Sequence, residues 1–109
     1  MQHRDVLATC VNTLADRAGS YGNEDDLFNT AAQIASLLTG INLSKYDISV
    51  VMESVKLARR RFDPLNEDSY VDQINYCAFS AQFAREAFDK ATQMVQRSTA
   101  QDPNQQIPI

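Results

Sequence analysis

"KLARRRFDPLNEDSYVD", residues 56–72, decides the reading of the chain. Lys56 to Phe62 closes one helical pattern with a run of cations, and Asp63-Pro64 then forces a break, because a residue before proline is pushed out of the helical region. Asp68 and Asp72 open the next pattern one helical turn apart. A connection this short returns the second helix beside the first, which predicts an antiparallel pair with cations facing carboxylates across the groove.

Working outward, three more segments carry helical spacing. Val6, Leu7, Cys10, Val11 and Leu14 recur at the spacing of a first helix over about Arg4–Ala18, and Gly19-Ser20-Tyr21-Gly22 breaks it. Asn23 caps a second helix whose acidic first turn, Glu24-Asp25-Asp26, suits the positive end of the helix dipole. Its stripe is Leu27, Phe28, Ala31, Ile34, Ala35 and Leu38, and Gly40 supplies the stop. Ser44 and Asp47 form a capping box, so a third helix starts near Lys45 and carries Ile48, Val51, Met52, Val55 and Phe62 inward. The fourth runs from about Asp68 toward Val95. On it Val71, Ile74, Cys77, Ala78, Ala81 and Phe88 form the main stripe, while Phe79 and Phe83 lie on a second face and read as a seam between copies of a homo-oligomer. Only three glycines and three prolines interrupt 109 residues, which favours helices over a many-turned β fold. The expected fold is all-α: a compact antiparallel four-helix bundle over residues 1–97 with a disordered tail at 98–109.

The balance of residues removes several function classes. A net charge of −4 without a basic run is opposed to general nucleic-acid binding, which must neutralise many phosphates. No apolar run approaches the roughly 20 residues of a membrane span. Cys10 and Cys77 lie on apolar faces far apart and read as buried free thiols of a reducing interior, hence a cytoplasmic protein. The single histidine, His3, gives no Ser/His/Asp or Cys/His arrangement, and Gly19 to Gly22 is too short for a P-loop and lacks its lysine.

What remains is a set of polar residues on faces that ought to be apolar. At 100° per residue Arg59 falls within the third helix's stripe, Lys56 lies at its edge, and Glu53 and Arg60 fall outside. Asp68 and Asp72 share a face of the fourth helix, and Glu24 points inward from the second. One reading is an ion-pair cluster, Arg59 with Asp72, that fixes helix register. The other is a site in which Glu24, Asp68 and Asp72 hold Mg²⁺, Lys56 and Arg59 bind phosphates, and Tyr21 or Tyr76 stacks on a base. Such an ion would activate water against a phosphoanhydride.

The runs "YGNEDDLFNTAAQIASLLTG", "LSKYDISVVMESVKLARR" and "DPLNEDSYVDQINYCA" resemble a family of small phage and prophage proteins of uncharacterised function over about Arg17–Ala78. The matching positions include Tyr21-Gly22, Phe28, Gly40, Asp47, Met52, Lys56, Arg59, Pro64, Asp68-Ser69, Asp72 and Tyr76. The chain departs from that pattern at Asn23, Leu27, Ala35 and Asn66. More distantly, "DSYVDQINYCAF" is similar to the second acidic motif of the all-α, MazG-like nucleoside triphosphate pyrophosphohydrolases. Their first motif, E-x-x-E, is not kept, since Leu27 stands three residues after Glu24. The resemblance implies a protein of a bacterial host's cytoplasm that binds a nucleotide or similar phosphorylated molecule, with Mg²⁺-assisted pyrophosphate hydrolysis as its catalytic form. The contrasting expectation is a non-enzymatic viral protein that inhibits or remodels a host protein.

Overall fold

The computed structural model describes residues 1–20 and 24–101. It contains four helices, α1 (His3–Ser20), α2 (Glu24–Thr39), α3 (Lys45–Phe62) and α4 (Glu67–Gln101), and no strand among the described residues. The chain is thus an all-α helical bundle with a long C-terminal helix, as its apolar spacing predicts. No described helix is long and apolar enough to cross a membrane.

The helix boundaries follow local chemistry. Gly40 adopts φ +71°, the left-handed conformation that ends α2 at little cost only for a residue without a Cβ. The Ser44 side chain accepts from the Asp47 N–H at 3.2 Å while the Asp47 carboxylate accepts from the Ser44 N–H at 2.8 Å, a complete capping box for α3. Asn66 caps α4 by accepting from the Asp68 N–H at 3.1 Å, so the helix begins one residue before Asp68. α4 also continues through Ser98–Gln101, where the sequence alone places a tail; the remainder of that tail, 102–109, lies outside the described residues.

α3 and α4 form an antiparallel hairpin. Lys45 meets Glu86 at 2.7 Å, Ser49 meets Ser80 at 2.8 Å and Lys56 meets Asp72 at 2.8 Å, partner numbers falling on α4 as they rise on α3. α2 turns back on α3 through Ser36, whose hydroxyl accepts from the Leu43 N–H at 2.9 Å. α1 lies along the first half of α4, where Val6, Cys10 and Val71 form a small core flanked by Tyr70 and Ile74.

Two faces differ from expectation. Phe79 and Phe83 are not a seam between copies: they pack on Phe28 with ring centroids 5.5 and 5.2 Å away, and Phe83 is 1% exposed. Conversely, the main stripe of α4 is buried only where α1 covers it, and Cys77, Ala78, Ala81 and Phe88 are exposed. α3 is turned by about one residue from its expected setting. It meets α4 along Lys45, Ser49, Glu53, Lys56 and Arg60, because those side chains find polar partners there, while of its apolar stripe Ile48 and Met52 are half-buried and Val51, Val55 and Phe62 are exposed.

Candidate functional site

The α3–α4 groove is a ladder of polar contacts. Near its middle, the buried hydroxyls of Ser49 and Ser80 meet, and Ser80 donates to Glu53 at 2.9 Å. Glu53, placed outside by the periodicity, is therefore an inward group. Hydrogen bonding to the Glu53 carboxylate, and then its charge, hold the Cys77 thiol above its ordinary pKa, since both favour the protonated thiol. Cys77 is exposed rather than buried, whereas Cys10 is buried as expected, and desolvation raises its thiol pKa. Toward the Pro64 turn, the Arg60 guanidinium donates to Gln73 and lies 4.3 Å from the Tyr70 ring centre.

Lys56 and Asp72 form an ion pair whose side chains are only 15% and 13% exposed. Asp72 then borders a cavity of about 450 Å³ between α2, α3 and α4, closed at one edge by Leu14 of α1. Glu24 enters the same cavity from the first turn of α2, and Asn75 and Tyr76 enter from the turn of α4 that follows Asp72. Phe28 and Phe79 supply aromatic wall, while Leu27, Ala31, Ile48 and Met52 complete an apolar lining. Asn75 is buried and oriented by donating to the Cys10 carbonyl at 3.3 Å. Two carboxylates, a carboxamide and a phenol thus line an otherwise apolar chamber.

The sequence-predicted residues separate into three groups. Glu24, Asp72 and Tyr76 line the cavity, and Lys56 stands behind Asp72 as its counter-charge. Asp68 and Arg59 do not join them. Asp68 is exposed in the first turn of α4, and Arg59 is exposed on the side of α3 that also carries the 89% exposed Phe62. The ion pair of the register reading accordingly belongs to Lys56, with Arg59 displaced by the rotation of α3. The carboxylates do not form the expected three-acid set, and among the described residues no group of three His, Cys, Asp or Glu side chains could hold a metal ion. Tyr21 lies outside the described residues. Sequence reasoning missed Asn75, although its place three residues after Asp72 on the same face was a usable signal.

The chain's match to known families ends on the same segment. A family described as a domain of unknown function, DUF6378, matches residues 5–84. The chain belongs to the DUF6378 family. The DUF6378 region takes in α1, α2, α3 and α4 as far as Ala84, and so includes every residue of the cavity wall. No curated protein and no solved structure matches the chain.

Proposed function

We propose that the cavity receives a nucleotide or a similar phosphorylated small molecule. The observation that carries this reading is the presence of Glu24 and Asp72 in the wall of a chamber that is also lined by the aromatic rings of Phe28, Tyr76 and Phe79. An aromatic and aliphatic chamber of this size suits the flat, weakly hydrated face of a base. Phosphates placed against two carboxylates repel them, so anion binding at that rim requires a cation. Mg²⁺ fits the donor set as a partly hydrated ion, because it accepts hard oxygen ligands, keeps several waters and needs only one or two protein carboxylates when phosphates complete its shell. When bound, such an ion supplies charge neutralisation and activation of water for pyrophosphate hydrolysis. Within that arrangement Glu24 and Asp72 hold the ion, Lys56 neutralises and aims Asp72 from behind, and Asn75 and Tyr76 offer hydrogen bonds to the ligand.

The likeness to phage and prophage proteins, and the more distant one to all-α pyrophosphohydrolases, supports the same assignment and a bacterial cytoplasmic setting. Two free thiols suit a reducing compartment. The test is thermal denaturation with nucleoside triphosphates, with and without Mg²⁺. Ligand at about 100 times its Kd stabilises by ~2.7 kcal/mol, a clear rise in Tm. The rise is expected only with Mg²⁺, and Asp72→Asn and Glu24→Gln should each remove it. A panel without any shift, or a shift indifferent to both variants, overturns the reading.

A further inference from the structure

The α2/α3 hairpin turns one side to α4 and leaves the other uncovered. Phe28 and Ala32 of α2, with Ser49 and Lys56 of α3, face the bundle and are buried or nearly so. Ile34 and Leu38 along α2, and Val51, Val55 and Phe62 along α3, remain 39–89% exposed. They recur at four- and seven-residue spacing on two adjacent antiparallel helices, so they form one apolar face rather than scattered exposed residues. Val51, Val55 and Phe62, which periodicity assigns to the core, therefore find no core within one chain, since α3 binds α4 by its polar edge.

We infer that this face is covered by the same face of a second copy of the chain, two α2/α3 hairpins stacking into an intermolecular four-helix arrangement. Area is the first argument. The chain exposes 8449 Å², against roughly 6,100 Å² for a compact monomer of its 12.2 kDa mass. Giving the eleven residues outside the described segments the full area of an extended chain, about 1.45 Å² per dalton, still leaves an excess of roughly 1,000 Å², which this face shares with the uncovered end of α4. A stable interface needs about 800 Å² from each partner.

Charge is the second argument. Asp26 in the first turn of α2 and Arg59 and Arg61 in the last turn of α3 are exposed, and the antiparallel course of the hairpin puts the two turns at the same end of the face. A two-fold axis that sets α2 against the α3 of the other copy brings Asp26 toward the partner's Arg59, and the same in reverse. This is the self-complementarity that an isologous interface requires. The apolar residues near the end of α4, Phe88, Met94 and Val95, are the competing surface, but they alternate with Asp89, Lys90, Gln93 and Arg97 on a single helix. Because it rests on coverage of the hairpin alone, the inference stands whether or not the cavity takes a nucleotide.

Light scattering on the full chain should give about 24 kDa, twice the mass of one chain. Raising the protein concentration about a hundredfold should raise Tm, as dissociation coupled to unfolding demands. Leu38→Glu and Val51→Glu should each give a helical 12.2 kDa species, while Phe88→Glu should leave the dimer intact. A wild-type chain of 12.2 kDa with a concentration-independent Tm overturns the inference and leaves the face to a different protein. So does a dimer that Phe88→Glu dissociates and Val51→Glu does not.

Discussion

At Lys56 and Asp72 two charges sit largely out of water, and their energetics are set by desolvation as much as by attraction. Lys56→Met removes an ammonium that lies 2.8 Å from a carboxylate only 13% exposed. The expected loss in urea denaturation is about 2–3 kcal/mol, below that of a fully buried pair because some solvent reaches both groups. Adding Asp72→Leu should recover most of it, to within ~1 kcal/mol of wild type, because burying two apolar groups costs no charge desolvation. Cys77 gives a second expectation at the same scale. Its thiol donates to Glu53, so alkylation near neutral pH should be slower than for an ordinary exposed thiol but faster than at buried Cys10, and Glu53→Gln should speed it. Both thiol pKa values lie above the unfolded value, so the folded state holds its protons longer as pH rises. The unfolded chain ionises first, and stability should therefore fall as pH climbs above about 9.

Helix boundaries were legible in the sequence because capping is local chemistry. Ser44 with Asp47, Gly40 and Asp63-Pro64 each fix backbone geometry within a few residues, and each boundary falls where those residues place it. Ser44→Ala should cost about 1 kcal/mol by removing the acceptor for the Asp47 N–H, a loss visible as a lower denaturation midpoint with an unchanged slope. Helix rotation was not legible. Periodicity aims the apolar stripe of α3 inward on the premise that burial of Val51, Val55 and Phe62 decides the setting. Polar partners on α4, from Glu86 to Asp72, decide it instead. That single rotation moves Arg59 out of the site, brings Glu53 in, and leaves Lys56 as the cation that meets Asp72. Glu24, Asp72 and Tyr76 survived it because they lie on α2 and α4, whose inward faces are fixed by Phe28, Phe79 and Phe83.

Across the whole molecule, stability is distributed unevenly along α4. This helix has 35 residues against 16–18 for the others, about 52 Å at 1.5 Å per residue, which accounts for most of the 61 Å long axis. Its first half meets α1, α2 and α3, the family match stops at Ala84, and every residue from Ala91 to Ser98 is exposed. A helical end without tertiary cover is held by its own hydrogen bonds, and such segments open at far lower free energy than a packed core. Amide hydrogen exchange should accordingly show protection near the global value at Val71, Asn75 and Phe83, falling steeply after Lys90. A chain ending at Lys90 should lose helical ellipticity in proportion to the residues removed, while its unfolding free energy stays within ~1 kcal/mol of the full chain. Strong protection over residues 91–98 would contradict this and move the intermolecular contact from the α2/α3 hairpin to the end of α4, where Phe88, Met94 and Val95 are the apolar groups available to make it.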